Sequence, residues 1–207
     1  MACRVAFVNR EDPNHEPDEI VHDVLWAPTS GTGLEYLHLF ERTDIVYADS
    51  IVIATHDGVP SRLHYKIACT DDWRVFYVYL TSLGEYSYHF RLQNDGNGHW
   101  KDKSGTPFPQ FDDCFDVDIS STPFTNTLPI RRLDLAVGQS AEIPMLYIDV
   151  LEQKVERTIQ RYTHLEKTAG GSLYKFESPD ANFTAFISVD EHSLVTDYPG
   201  LFRRVVT

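Results

Sequence analysis

Short runs of β-branched, aromatic and aliphatic residues recur along this chain, each closed by a turn rich in Gly, Asp or Asn. That pattern restricts it to an antiparallel β architecture. Tyr86-Ser87-Tyr88-His89-Phe90-Arg91-Leu92 alternates with the two-residue period of a strand. His56-Asp57-Gly58-Val59-Pro60 separates extended stretches at residues 50–55 and 63–69, and Leu83-Gly84-Glu85 separates residues 75–81 from 86–93, so both predict hairpins. Asn94-Asp95-Gly96-Asn97-Gly98 is a tight turn leading to Trp100. Residues 22–26, 34–40, 115–119, 130–137, 145–150, 174–177 and 183–189 also read as extended. Residues 154–166 carry Val155, Ile159 and Tyr162 at helical spacing, but their Val, Thr, Ile and Tyr content predicts a strand.

A chain of 207 residues is long enough for a continuous core, and so many strands cannot lie flat without leaving long unpaired edges. The expected fold is therefore all-β, a single-domain antiparallel sheet, barrel-like or strongly curved, with an internal cavity. Residues 1–20 hold a Pro- and acid-rich stretch and are expected to form a flexible N-terminal arm, with residues 21–207 as the one domain.

The formal net charge of −13 repels phosphates, which argues against nucleic acid as a partner. No apolar run reaches the roughly 20 residues of a transmembrane segment, and the N-terminus lacks the apolar core of a secretory signal, so a cytoplasmic location is expected. Three cysteines, Cys3, Cys69 and Cys114, are too few and too far apart for a disulfide framework or a zinc site. Nine histidines are scattered without ligand spacing, and no nucleophile elbow, phosphate loop or dinucleotide fingerprint is present. Neither a metal nor a cofactor is expected. Oligomeric state is not encoded in any recognisable way.

The chemistry concentrates between Cys114 and Leu133. Asp116, Asp118 and Ser120 share one face of an extended run whose other face is Phe115, Val117 and Ile119. Two carboxylates so placed can raise one another's pKa, making either a candidate general acid; facing Arg131 or Arg132 they would instead form an ion-pair network, and if exposed they would be a solvated strand face. Thr122-Pro123-Phe124-Thr125-Asn126-Thr127-Leu128-Pro129 links two strands and offers Asn126 for hydrogen bonding. Arg131 and Arg132, read as neighbours on a strand, point to opposite faces, so at most one reaches the interior to grip an anionic or sugar oxygen. Trp73 and Arg74 offer an aromatic face beside a cation, and Tyr198 opens the closing turn Tyr198-Pro199-Gly200-Leu201.

Several of these segments, in this order, resemble the putative glycolipid-binding family. The specific matches are Asp116-Val117-Asp118, Thr122 through Leu133, and Asp197-Tyr198-Pro199-Gly200-Leu201-Phe202-Arg203. Trp26, Gly33-Leu34-Glu35, Tyr65, Trp73-Arg74, Asp95-Gly96, Gly98, Trp100, Cys114, Gln160, Tyr162 and Leu194-Val195 add to them. The chain departs from the family pattern at His192-Ser193, where Asp-Gly is common, and at Phe76, where a second Arg is frequent. The resemblance implies a β-rich, barrel-like domain with a cavity for an amphiphilic molecule. Phe76, Tyr77, Tyr79, Tyr86, Tyr88 and Phe90 suggest an aromatic lumen.

Two functions follow as alternatives. One is a protein that binds a hydrophobic or amphiphilic small molecule such as a lipid or glycolipid, using Arg131 or Arg132, Asn126, Trp73, Arg74 and Tyr198. The other is a cofactor-independent enzyme (a cyclase, isomerase, dehydratase or pericyclase) with Asp116 or Asp118 as acid or base. A third reading, a protein-interaction module, requires a contiguous exposed apolar patch.

Overall fold

A computed structural model of the chain describes residues 20–56, 58–82 and 88–205. The N-terminal arm expected over residues 1–20 lies, apart from Ile20, outside the described residues, as does the turn at Leu83-Gly84-Glu85. The strands are β1 (Ile20–Pro28), β2 (Gly33–Arg42), β3 (Ile45–His56), β4 (Val59–Thr70), β5 (Val75–Ser82), β6 (Tyr88–Asn94), β7 (Trp100–Lys101) and β8 (Asp116–Ile119). A helix, α1 (Thr127–Leu133), intervenes before β9 (Ser140–Asp149), β10 (Lys154–Thr168), β11 (Gly171–Ser178), β12 (Phe183–Val189), β13 (Val195–Tyr198) and β14 (Phe202–Arg204). The stretch 154–166 is indeed strand, inside β10.

The fourteen strands among the described residues join one sheet in the order β7-β6-β5-β4-β3-β2-β1-β14-β13-β12-β11-β10-β9-β8. The pairings are antiparallel except for β8, which runs parallel to β9. The sheet is open rather than a closed barrel, with β7 and β8 at its ends, but it curls strongly. The N–H of Val75, on the third strand from one end, donates to the carbonyl of Phe115, just before the strand at the other end, at 3.0 Å. Trp100 Nε1 likewise donates to the Cys114 carbonyl at 2.8 Å. No helix among the described residues is long and apolar enough to cross a membrane.

Burial follows the strand period. On β2, Glu35, Leu37 and Leu39 are buried while Leu34 and Tyr36 are exposed. Two apolar clusters result. The larger lies under β1–β6 and includes Trp26, Tyr65, Leu80, Trp100 and Phe124; the smaller lies under β9–β13 and includes Met145, Tyr162, Phe176 and Tyr198.

The segment between β8 and β9 joins the clusters, and here the sequence expectation is corrected. Residues 130–137 are not a strand: a 3-10 turn (Phe124–Asn126) runs into α1, and residues 134–139 form a loop. Pro129 is the third helical residue, where its missing N–H has no intrahelical bond to lose. Phe124 and Leu128, one turn apart, enter the larger cluster, and Ile130 enters the smaller. Burial of that apolar face outweighs the weak helix propensity of Thr, Ile and Pro.

Candidate functional site

Antiparallel pairing places the turns β1/β2, β3/β4, β9/β10, β11/β12 and β13/β14 at one end of the sheet, and β2/β3, β4/β5, β10/β11 and β12/β13 at the other. A hollow of about 400 Å³ opens at the first end. Its polar lining includes Asp118 of β8, Asn126 ahead of α1, Glu156, Thr158 and Gln160 of β10, and Asp180; its apolar wall includes Phe176, Phe183, Tyr198, Leu201 and Phe202. The two specific motifs, far apart in sequence, therefore meet across one space.

The polar wall is a connected network. Thr125 Oγ1 donates to Asp118 Oδ1 at 2.9 Å and Gln160 Nε2 donates to Asp118 Oδ2 at 2.7 Å. The Tyr162 hydroxyl lies 3.1 Å from Asn126 Oδ1 and 3.3 Å from Gln160 Oε1. Among the described residues no cation pairs with Asp118, and burial pushes its carboxyl up, with the Gln160 and Thr125 bonds opposing. Each of its oxygens keeps a lone pair for a further donor. Thr158 Oγ1 is buried with no partner among the described residues. Facing these groups, Tyr198 has its hydroxyl pKa raised, first by burial and then by the charge of Asp118. Tyr147, paired with Asp118 across β8 and β9, is pushed up to about 12 by burial and the same charge.

Asp116, two residues earlier, has a different environment. It has no exposed surface, and Arg132 holds it in a fork, Nε to Oδ1 at 3.0 Å and Nη2 to Oδ2 at 2.5 Å. Burial raises its pKa and Arg132 opposes the rise. Burial, not the neighbouring carboxylate, is the main cause of both Asp shifts, so the mutual effect expected from sequence is absent.

The arginines sit on α1, not on a strand, so they are about 100° apart rather than opposed. Arg132 is committed to Asp116. Arg131 is exposed and lies over the Trp73 ring, 4.8 Å from its centre. Both line a groove of about 1390 Å³ at the opposite end of the sheet, along with Asp71, Asp72, Asp134, Asp190 and Glu191. Trp73 is buried and adopts φ +64°, a left-handed conformation costly for a bulky residue. Arg74 pairs with Asp72 at 2.9 Å and stacks on Phe115. Of the sequence-stated candidates, Asp118, Asn126 and Tyr198 thus share the hollow, whereas Trp73, Arg131 and Arg132 share the groove.

The sequence reading missed a third polar centre. Glu35 is 2 % exposed, and one of its oxygens, Oε1, accepts from Tyr65 at 2.6 Å, Ser50 at 2.8 Å and Thr122 at 2.8 Å. Its other oxygen has no partner among the described residues. Burial without a cation lifts this carboxyl to about 7 despite the three donors. Thr122 also accepts from the N–H of Phe124, so Glu35 anchors the start of the segment that reaches the hollow. An acid in phase with Leu37 and Leu39 was the available signal.

The expected aromatic lumen is also corrected. Phe76 and Tyr77 line an outer hollow with Asp49 and Lys66, and Tyr79 stands edge-on to His64. Tyr88 and Phe90 pack at the border of the larger cluster, and Tyr86 lies outside the described residues. The aromatic wall comes from β11–β14 instead.

Fold and hollow place the chain among open, strongly curved β-sheet proteins with an amphipathic recess. Residues 23–204 match the family described as "Putative glycolipid-binding", and the chain belongs to that family. A crystal structure of a DUF1089 family protein from Pseudomonas aeruginosa is 38% identical, with a TM-score of 0.76 over 86% of this chain and 94% of that one. No curated protein sequence matches the chain.

Proposed function

We propose that the chain binds an amphiphile in the 400 Å³ hollow, a hydroxyl-rich head against Asp118, Asn126 and Gln160 and an apolar portion against Phe176, Phe183, Tyr198 and Phe202. The observation that carries this reading is the division of one recess into a hydrogen-bonding wall and an aromatic wall. Its volume falls within the roughly 300–1,000 Å³ of small-molecule sites. A carboxylate with free lone pairs, an amide and an unpartnered hydroxyl suit a sugar, whose hydroxyls both donate and accept. The family description supports the same class of ligand. In the groove, Arg131 over Trp73, with Arg74 nearby, is proposed as a separate contact for an anionic group.

Native mass spectrometry with an alkyl glucoside below its micellar concentration tests the reading. Binding to the wild-type chain is expected, reduced about tenfold or more in Asp118→Asn and in Phe202→Ala, as the loss of one charge-assisted bond or one buried ring predicts. A well-folded wild type that takes up neither the glucoside nor a fatty acid of the same chain length would refute it.

One observation favours an enzyme as the second reading. Asp118 is a carboxyl raised by burial, without a cation, beside a recess, which is how a general acid is prepared. Turnover of a bound amphiphile abolished by Asp118→Asn, with binding retained, would select it.

A further inference from the structure

The exposed apolar residues are not scattered evenly over the sheet. Strands β4-β3-β2-β1-β14-β13-β12-β11 are consecutive neighbours, so the turns β3/β4, β1/β2, β13/β14 and β11/β12 form one row at the end where the hollow opens. Every turn in that row presents a large apolar side chain to solvent: Ile53 at 60% and Val59 at 66% exposure, Leu34 at 44%, Leu201 at 40% and Phe183 at 37%. The tips are tied together, Thr55 N–H donating to the Thr32 carbonyl at 2.8 Å and Thr29 N–H to the Leu201 carbonyl at 2.9 Å. Leu201 and Phe183 also line the hollow, so the apolar row is continuous with its rim.

Charge is distributed in the opposite sense. Residues 27–34, 50–55, 58–61 and 198–202 contain no Asp, Glu, Lys or Arg; between β3 and β4 the sequence adds only Asp57, and β11/β12 contributes Asp180. At the far end, the β2/β3, β4/β5 and β12/β13 turns carry Asp44, Asp71, Asp72, Asp190 and Glu191. The β9/β10 turn at the same end carries Asp149, Glu152 and Lys154, so in a chain of net charge −13 it is this row of four turns that is kept nearly neutral and apolar. Isolated apolar side chains on adjacent hairpin tips suit shallow insertion among lipid headgroups, and the carboxylates at both ends of the sheet disfavour an anionic surface.

We infer that this row of turns is a docking face for a lipid surface of low charge, set end-on so that the mouth of the hollow meets the lipid. The inference rests on the reading of the hollow as an amphiphile site, because it gives that ligand a direct path between bilayer and recess.

Flotation with phosphatidylcholine vesicles is the test. The wild-type chain is expected to float, and vesicles enriched in phosphatidylglycerol are expected to carry less of it. Leu34→Glu and Ile53→Glu, at exposed positions outside the hollow, should each lower the bound fraction about tenfold or more. Val137→Glu, equally exposed at the other end, should leave it unchanged. Absence of flotation by the wild type, or equal loss in Val137→Glu, overturns the inference. So does a dimer in gel filtration that Ile53→Glu converts to monomer while vesicles bind nothing, since the row would then face a second copy. Alkyl glucoside binding without vesicles separates the two proposals: the tip variants should retain it, and Asp118→Asn should lose it yet still float. Flotation that depends on Leu34 and Ile53 in a chain that binds no glucoside would sink the amphiphile site and leave the docking face standing.

Discussion

The two ends of the sheet are made by the same hairpins and carry opposite chemistry. At the end of the hollow, no Lys or Arg lines the recess, Asp118 sits inside it among neutral partners, and a row of four hairpin tips is apolar. At the end of the groove, the exposed turns are acidic and cations are near at hand, yet one arginine is locked onto Asp116 while the other only covers Trp73. A buried charge pair must be complete to be tolerated, whereas an exposed stack adds little and leaves its cation available. The difference separates a structural arginine from a free one, although the two are adjacent in sequence.

The largest expected effect breaks that distinction directly. Arg132→Ala leaves Asp116 fully buried without a counter-charge and should lower the unfolding free energy by about 3–5 kcal/mol in urea titration. Adding Asp116→Leu to Arg132→Met should recover most of the loss, because an apolar pair of similar size removes the desolvation cost as well. A cost below about 1 kcal/mol for Arg132→Ala, the range of a surface pair, would put Arg132 in the same class as Arg131.

Next comes Glu35, which sharpens the contrast between a carboxyl with a cation and one without. Its folded pKa is raised to about 7, so the folded state holds a proton that the unfolded state has already released. Stability from this group is therefore full below the ordinary glutamate range, about 4.3, and is lost as pH rises to about 7. The loss is on the order of 3 kcal/mol. Glu35→Gln mimics the protonated form and should flatten that part of the stability profile. A variant whose urea midpoint falls with pH as steeply as the wild type would show that Glu35 does not titrate in this window.

Much of the fold was legible because half-buried strands impose a two-residue period that composition and turn residues reinforce, as in β2, β4 and β6. What was not legible depended on where the chain returns. Thr127–Leu133 looks extended by propensity and becomes helical because Phe124, Leu128 and Ile130 must fill the gap between two cores. Tyr77 and Tyr79 are aromatic and alternate properly, but period alone does not say which face is inside, and here Val78 and Leu80 take it. At the site, Asp118, Asn126 and Tyr198 were singled out individually from the sequence. Their meeting with Gln160 and Phe202 comes from strand order across the whole sheet. Glu35 was passed over because its partners, Ser50, Tyr65 and Thr122, lie up to 87 residues away.

The smallest effect is expected from Arg131→Ala, and it completes the comparison. An exposed guanidinium stacked on an aromatic ring contributes about 0.5–1 kcal/mol, so the urea midpoint should barely move. The change should instead be visible at Trp73. The other two tryptophans are fully buried and donate their Nε1 protons to the carbonyls of Val195 and Cys114, so removing the arginine leaves their surroundings intact. A red shift in tryptophan emission is then assignable to Trp73 losing its cover. Should the variant lose as much stability as Arg132→Ala, the stack would be holding the left-handed backbone of Trp73 in place, and the groove would offer no free cation to a ligand. A small loss with a clear red shift would leave Arg131 as the one of the adjacent pair whose charge is open to the groove.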